Sequence, residues 1–260
     1  MFDSHCHLDS ARFDAERDAV VARARAVGVT GILVPGVEPA EWPRLADVKA
    51  RYPEVRIAVG LHPQALPGMS APAIERALAE LEATARGLGA VAVGECGFDG
   101  GTHGQGGVAW ETQALVVDTH VRVAQTLGLP LVLHVLRAHD QALRALERHG
   151  PLGAGGVMHS YSGPAELVPR YVALGLSVSF AGSITRERAR RPVDAARVVP
   201  ADRLLVETDA PDQTPTGADR ERCEPAHVAL VIAALARARG VTPDEIARLT
   251  ARNALALFGG

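Results

Sequence analysis

The sequence predicts an α/β chain closed into a (β/α)8 barrel of the TIM type, and three observations predict it. Eight short apolar, β-branched runs recur along the chain, among them GILVP, VRIAV, AVAVG and PLVLH. Each is followed by a longer stretch with helical spacing. The length of 260 residues suits one such barrel, as a single domain over 1–260. A doubly wound open sheet is the competing arrangement, but no Gly-rich dinucleotide fingerprint follows the first apolar run.

Strands are expected at 1–5, 31–35, 55–59, 90–94, 130–134, 155–159, 177–180 and 203–207. After the first, 14–27 carries Ala and Arg at helical spacing and stops at Gly28. A helix from about Glu38 follows the second strand. The third is followed by 72–86, with Pro72 in its first turn and Gly87 past its end. Helices from about Val108, Ala138, Pro164 and Arg186 follow the next four. Two helices, 225–239 and 242–257, follow the last strand. The second of these opens on Thr242-Pro243-Asp244-Glu245, an N-cap with Pro in the first turn and a capping-box Glu. The glycine-rich stretch 100–107 reads as a mobile loop.

The net charge of −3 supplies no global basic field for nucleic acid, although metal ions can hold phosphates instead. Three cysteines, Cys6, Cys96 and Cys223, argue against a disulfide framework and suit a reducing cytosol. The start lacks a signal-peptide pattern and no apolar run is long enough to span a bilayer, so a cytoplasmic protein without membrane contact is expected. Nothing in the sequence marks an obligate protein partner.

Laid on this map, the ligand-type residues gather. His5 ends the first strand and His7 stands two residues on, so both can point the same way. Glu95 follows the fourth strand, His134 ends the fifth, His159 the sixth, and Asp209 follows the eighth. In a barrel these ends converge on one mouth, where active sites sit. A lone histidine at a strand end is more often capped or solvated than a ligand. Six ligand-type side chains at five strand ends are a different matter. Imidazole and carboxylate suit Zn, Mn or Mg, and six ligands serve two divalent ions if one carboxylate bridges; Glu95 is the natural bridge. His62, in GLHP after the third strand, stands at the same mouth and is a candidate substrate contact.

Other residues carry weaker signals. Cys6 and Cys96 neighbour proposed ligands but point to the opposite side of their strands, as packing residues. His120, His139, His149 and His227 fall on helices and read as surface or core-edge residues. His103 sits in the glycine-rich stretch. The run RERARR at 186–191 reads as a solvated helix face with room for phosphate steering.

The segments SHCHLD, GECGFD, LVLH, GVMHSYSG and LLVETDAP, with NALALF near the end, resemble in order the TatD family of metal-dependent, amidohydrolase-like barrels. The resemblance implies a DNase or related phosphodiesterase using metal-activated water. It implies that His5, His7, Glu95 and Asp209 hold one ion, and that Glu95, His134 and His159 hold the other. Asp209, Glu95 and His62 would be catalytic, with Asp209 as base or orienter of the attacking water. Glu207 would support a ligand from behind. His62, Arg137 and Tyr161 would contact DNA or another phosphodiester substrate. The chain departs from the family at HVLRAHD (134–140), where the Arg and acid are displaced. It departs again after Asp209, where Ala210-Pro211-Asp212-Gln213 loses an aromatic and gains a carboxylate. With 4% aromatic residues, base-stacking platforms are scarce.

The alternative is a related barrel enzyme cleaving a C–N, lactone or ester bond. Relatives that bridge their ions with a modified lysine are disfavoured, because Lys49, the only lysine, lies on the second expected helix. A third class is a non-catalytic barrel, against which the complete ligand set argues.

Overall fold

The computed structural model describes residues 1–104 and 107–259. Eight strands alternate with helices: β1 (Phe2–Asp3), α1 (Arg17–Ala26), β2 (Gly31–Pro35), α2 (Trp42–Arg51), β3 (Val55–Val59), α3 (Ala71–Gly87) and β4 (Ala92–Asp99) form the first half. The second half comprises α4 (Gly100–Gly104), α5 (Trp110–Leu127), β5 (Leu131–Leu136), α6 (His139–His149), β6 (Gly156–Met158), α7 (Val168–Ala173), β7 (Leu176–Phe180), α8 (Arg190–Val198), β8 (Leu204–Val206), α9 (Val228–Arg239) and α10 (Pro243–Phe258). The strands form one parallel sheet in sequence order. The seam between β8 and β1 closes through backbone bonds: Ser4 N to Val206 O (3.1 Å), Asp209 N to His5 O (2.9 Å) and His7 N to Ala210 O (2.7 Å). The result is the expected (β/α)8 barrel.

Strand alternation sorts the apolar residues into two sets. Ile32, Val34, Ile57, Val59, Leu133 and Val178 point outward and pack with helix residues such as Val20, Leu45 and Val117. Leu33, Ala58, Ala92, Val132, Val157 and Leu205 form an inner layer with Phe2, closed from below by Ala254 and Phe258 of α10. Phe2 stacks on Phe258 at 6.3 Å. Two residues further along, the same inward face carries His134 after Val132 and His159 after Val157. It carries Glu207 and then Asp209 after Leu205. The apolar plug and the polar mouth are thus successive layers of one alternation.

The helix at α10 begins as expected: Thr242 N donates to Glu245 Oε2 (2.8 Å) and Glu245 N to Thr242 Oγ1 (3.3 Å). Asn253 Nδ2 donates to Ala201 O (2.7 Å) and Leu204 O (2.9 Å), tying α10 to β8.

Several expectations change. β1 ends at Asp3 and β6 at Met158, so His5 and His159 follow their strands, and β5 runs on to Leu136, so His134 lies within it. The fourth strand continues through Asp99, with a register shift between Val93 and Cys96, so Glu95 lies within the strand and not at its end. Gly94 and Gly97 permit this at φ 135° and 154°, where a side chain would collide with backbone of β5. The stretch from Gly100 to Gly104 is a short helix, not a loop. Asp99 Oδ1 caps it by accepting from Gly101 N (2.7 Å) and Thr102 N (3.0 Å), and His103 stacks on Trp110 at 4.2 Å. Gln105 and Gly106 of the expected loop lie outside the described residues. Finally, α1, α2, α7, α8 and α9 begin three to four residues late. Turns of 3-10 helix occupy Ala165–Leu167 and Pro225–His227 instead.

Among the described residues, no helix is long and apolar enough to cross a membrane.

Candidate metal centre

Glu95 is the hub of the mouth. Its Oε1 faces His159 Nε2 at 2.9 Å, His62 Nε2 at 3.0 Å and His134 Nδ1 at 3.2 Å. Its Oε2 faces His5 Nε2 at 3.1 Å and His7 Nε2 at 3.7 Å. Asp209 Oδ1 lies 3.6 Å from His5 Nε2 and 3.7 Å from His7 Nε2. His5 and His159 stack face to face at 4.0 Å. The structure therefore brings all six expected ligand-type residues together, with the imidazoles divided between the two oxygens of one carboxylate.

The donor set fits cations. Glu95 is 1% exposed, yet neither of its oxygens has a hydrogen-bond donor in good geometry; His5 Nδ1, His134 Nε2 and His159 Nδ1 are likewise buried without one. A bare buried carboxylate costs several kcal/mol, on the order of a lost charged hydrogen bond or more. A carboxylate whose two oxygens face imidazole nitrogens without hydrogen-bond geometry is what a bound ion satisfies. Burial alone would raise Glu95, but His62, His159 and His5 around it override burial and hold it well below the usual carboxylate range. Asp209 shows the same balance, with burial opposed by His159, His5 and His7, and is also lowered.

A second layer orients these groups. His159 Nδ1 stands 3.5 Å from Glu207 Oε1, and Glu207 accepts from Ser160 N (2.5 Å) and Ser4 Oγ (3.3 Å). His134 Nε2 stands 3.4 Å from Asp99 Oδ2, which accepts from Gln64 Nε2 at 2.7 Å. Gln213, at φ 50°, donates to Asp209 Oδ2 (2.5 Å) and Ser160 Oγ (2.5 Å). Sequence reasoning missed Asp99 and Gln213. Asp99 was legible only as the end of GECGFD, and Gln213 only as an amide four residues beyond Asp209.

His62 differs from the other histidines at the centre. Its Nδ1 accepts from Gln64 N at 3.1 Å, so in the neutral ring the proton sits on Nε2, the atom facing Glu95. Burial pushes His62 down to about 4, against the pull of Glu95. The ring is neutral and presents a donor to the mouth, not a lone pair.

Several expected residues lie elsewhere. Tyr161 is 1% exposed. Its hydroxyl donates to Pro164 O at 2.7 Å, and its ring packs on Tyr171 and Phe180. Ser160, at φ 44°, breaks the alternation that would set Tyr161 beside His159, so Tyr161 lies in the core and outside the lining of the mouth. Arg137 is exposed beyond β5, at φ 52°, outside the residues that line the mouth. His120 is wholly buried: its Nε2 accepts from Leu61 N (3.0 Å) and its Nδ1 pairs with Val116 O (2.8 Å). His227 is also buried, paired with Asp219 at 3.0 Å. Neither is a surface residue. Arg186 precedes α8 and lines the mouth, while Arg190 and Arg191 belong to the helix. Lys49 bonds to Leu88 O (2.8 Å) and Gly89 O (2.7 Å), away from the mouth, as expected. Cys6 and Cys96 are buried packing residues.

The mouth opens as a cavity of about 830 Å³, large enough for a nucleotide-sized group.

Comparison with known proteins agrees with this geometry. A family model described as TatD related DNase matches residues 2–259. The chain is 35% identical over 257 residues to the metal-dependent hydrolase YjjV of Escherichia coli K12, covering 98% of this chain and 96% of that protein. It is 34% identical over 272 residues to the 3'-5' ssDNA/RNA exonuclease TatD of Erwinia amylovora, covering 100% of both. The crystal structure of YjjV superposes with a TM-score of 0.88 at 33% identity, covering 100% of this chain and 98% of that one. By fold, by site geometry and by similarity over its whole matched length, the chain belongs to the TatD related DNase family.

Proposed function

We propose that the protein is a divalent-metal-dependent phosphodiesterase acting on DNA or RNA. The observation that carries the reading is the buried Glu95 carboxylate, with neither oxygen in hydrogen-bond geometry and imidazoles facing both. His5, His7, Asp209 and Glu95 would hold one ion, and Glu95, His134 and His159 a second. Bound there, Zn, Mn or Mg ions would lower the pKa of water and offset charge on a phosphate. Asp209, held by Gln213, takes the proton of the attacking water. His62 donates from Nε2 to a phosphate oxygen or to the departing oxygen. Glu207 and Asp99 hold His159 and His134 in place. The relative TatD of Erwinia amylovora is named an exonuclease on single-stranded DNA and RNA, which supports a nucleic acid as substrate.

The carboxylates of Asp9, Glu38 and Glu41 on the rim favour one second reading, an uncharged amide or ester as substrate. The test covers both. Purified protein is stripped with chelator, reloaded with Mg, Mn or Zn, counted for metal, and assayed on bis(p-nitrophenyl) phosphate, oligonucleotides, amides and esters. Two ions per chain with phosphodiester cleavage supports the proposal. Cleavage of amides or esters alone replaces it.

A further inference from the structure

Three arginine–carboxylate pairs stitch the chain that follows β1 to the chain that follows β8. Two of them are structural. Arg23 of α1 grips both oxygens of the buried Glu224, at 2.7 and 2.8 Å. Arg222 Nη2 reaches Glu16 Oε1 at 2.6 Å, and its guanidinium lies over the Phe13 ring at 4.5 Å. None of these four charged residues lines the mouth. The third pair does. Arg12, in the 3-10 turn Ala11–Phe13, sends Nη1 to Asp212 Oδ1 at 2.7 Å, and both residues line the cavity.

This third pair can open. Its side chains are 51% and 69% exposed, and ion pairs that exposed hold weakly, so a competitor loses less than about fivefold in affinity by displacing one. The pairing is monodentate: Nη2 goes to Pro211 O at 3.3 Å and not to the second carboxylate oxygen. A phosphate offers the guanidinium two oxygens in parallel. Other bonds hold both backbones when the pair parts. Arg12 N donates to Ser10 Oγ (3.3 Å) and Arg12 O accepts from Arg222 Nη1. Asp212 N donates to Asp209 O (3.0 Å) and Cys223 N to Pro211 O (3.2 Å). The proposed ions would hold the scissile phosphate, whereas Arg12 stands on the rim, paired with none of their ligands. We propose that Arg12 sets specificity for substrates that carry a second phosphate: it grips a phosphate other than the scissile one, and Asp212 occupies the guanidinium until that phosphate displaces it. The inference rests on the phosphodiesterase reading.

The test compares hexathymidylate, which carries several phosphates, with bis(p-nitrophenyl) phosphate, which carries only the scissile one. The readout is the ratio of kcat/KM on the first to kcat/KM on the second. It is measured for the metal-loaded wild type, Arg12→Gln, Asp212→Asn and the double variant. Damage to the fold or the metal centre moves both substrates together and leaves the ratio alone. Arg12→Gln should lower the ratio about fivefold or more. It should also flatten the slope of log kcat/KM on hexathymidylate against log salt by about 0.7, the value for one phosphate contact on a single strand. Asp212→Asn should raise the ratio about threefold. In the Arg12→Gln background the same change should move it less than about 1.5-fold. A ratio that Arg12→Gln leaves unchanged overturns the proposal. So does a gain from Asp212→Asn that survives in the Arg12→Gln background, because the carboxylate would then act by repelling phosphate and not by occupying Arg12. If only hexathymidylate is cleaved, the same cycle is read on its kcat/KM and the salt slope decides. Cleavage of bis(p-nitrophenyl) phosphate alone overturns the inference and leaves the phosphodiesterase reading standing; cleavage of neither overturns both.

Discussion

Gln213 Nε2 lies 2.5 Å from Asp209 Oδ2, while the other oxygen of Asp209 faces His5 and His7. One carboxylate is thus divided between an amide that fixes its rotation and the histidines of the centre. The same amide nitrogen also reaches Ser160 Oγ, linking the end of β8 to the end of β6.

Removing the amide should therefore loosen Asp209 without removing a ligand. Gln213→Ala is expected to lower kcat about tenfold, the scale of one hydrogen bond to a charged group. Metal content should stay at the wild-type value. A variant with unchanged kcat, or one that loses metal, would show that Gln213 does not act by orienting Asp209.

Glu95 should couple metal to folding. A buried carboxylate ringed by histidines is stabilised by a cation that binds only the folded chain. Chelation should lower the melting temperature of the wild-type protein by several degrees, and Glu95→Ala should abolish both the shift and the activity. Equal melting temperatures with and without chelator would count against the proposed centre.

His120 predicts a pH dependence of stability. Burial pushes its pKa down to about 4 from an ordinary 6.5. Between those values the unfolded chain binds a proton that the folded chain refuses, so stability falls as pH drops through that window. By pH 5 the loss is about 2 kcal/mol. Urea midpoints for the wild type and His120→Gln, at pH 8 and pH 5, measure it: the variant should lose less on acidification. Parallel losses would assign the acid sensitivity to other groups.

Tyr161 separates packing from substrate contact. Tyr161→Phe removes the bond to Pro164 O and leaves a buried carbonyl without that donor, a cost of about 1–2 kcal/mol. KM for an oligonucleotide should be unchanged within about twofold. A KM raised tenfold would restore Tyr161 to the mouth.

What was legible in the sequence follows from what is periodic. Strand alternation and helix punctuation are local, so GILVP, VRIAV and the Thr242 capping box were readable, and with them the barrel. The ligand-type residues were readable because each ends or follows an apolar run. Groups placed by backbone conformation were not. Asp99 reaches its place because the fourth strand runs past Gly94 and Gly97, and nothing in the spacing announces a register shift. Gln213 acts from a left-handed backbone position, and Tyr161 enters the core because Ser160, at φ 44°, breaks the alternation after His159. His120 was misread because the partner that justifies burying it, the Leu61 amide, belongs to another element. Arg137 illustrates the reverse error: a basic residue close in sequence to His134, yet carried beyond the rim by the turn after β5.

The closing seam has a consequence for how the protein comes into being. Asp209 N bonds to His5 O and His7 N to Ala210 O, so residues about two hundred positions apart must meet before the first histidines have their acidic counterpart. His5 and His7 leave the ribosome about two hundred residues before Asp209. Until Asp209 joins them, the proposed site of His5 and His7 lacks its acid from the end of the last strand. The full proposed centre would therefore assemble only once the ring of strands has joined its ends.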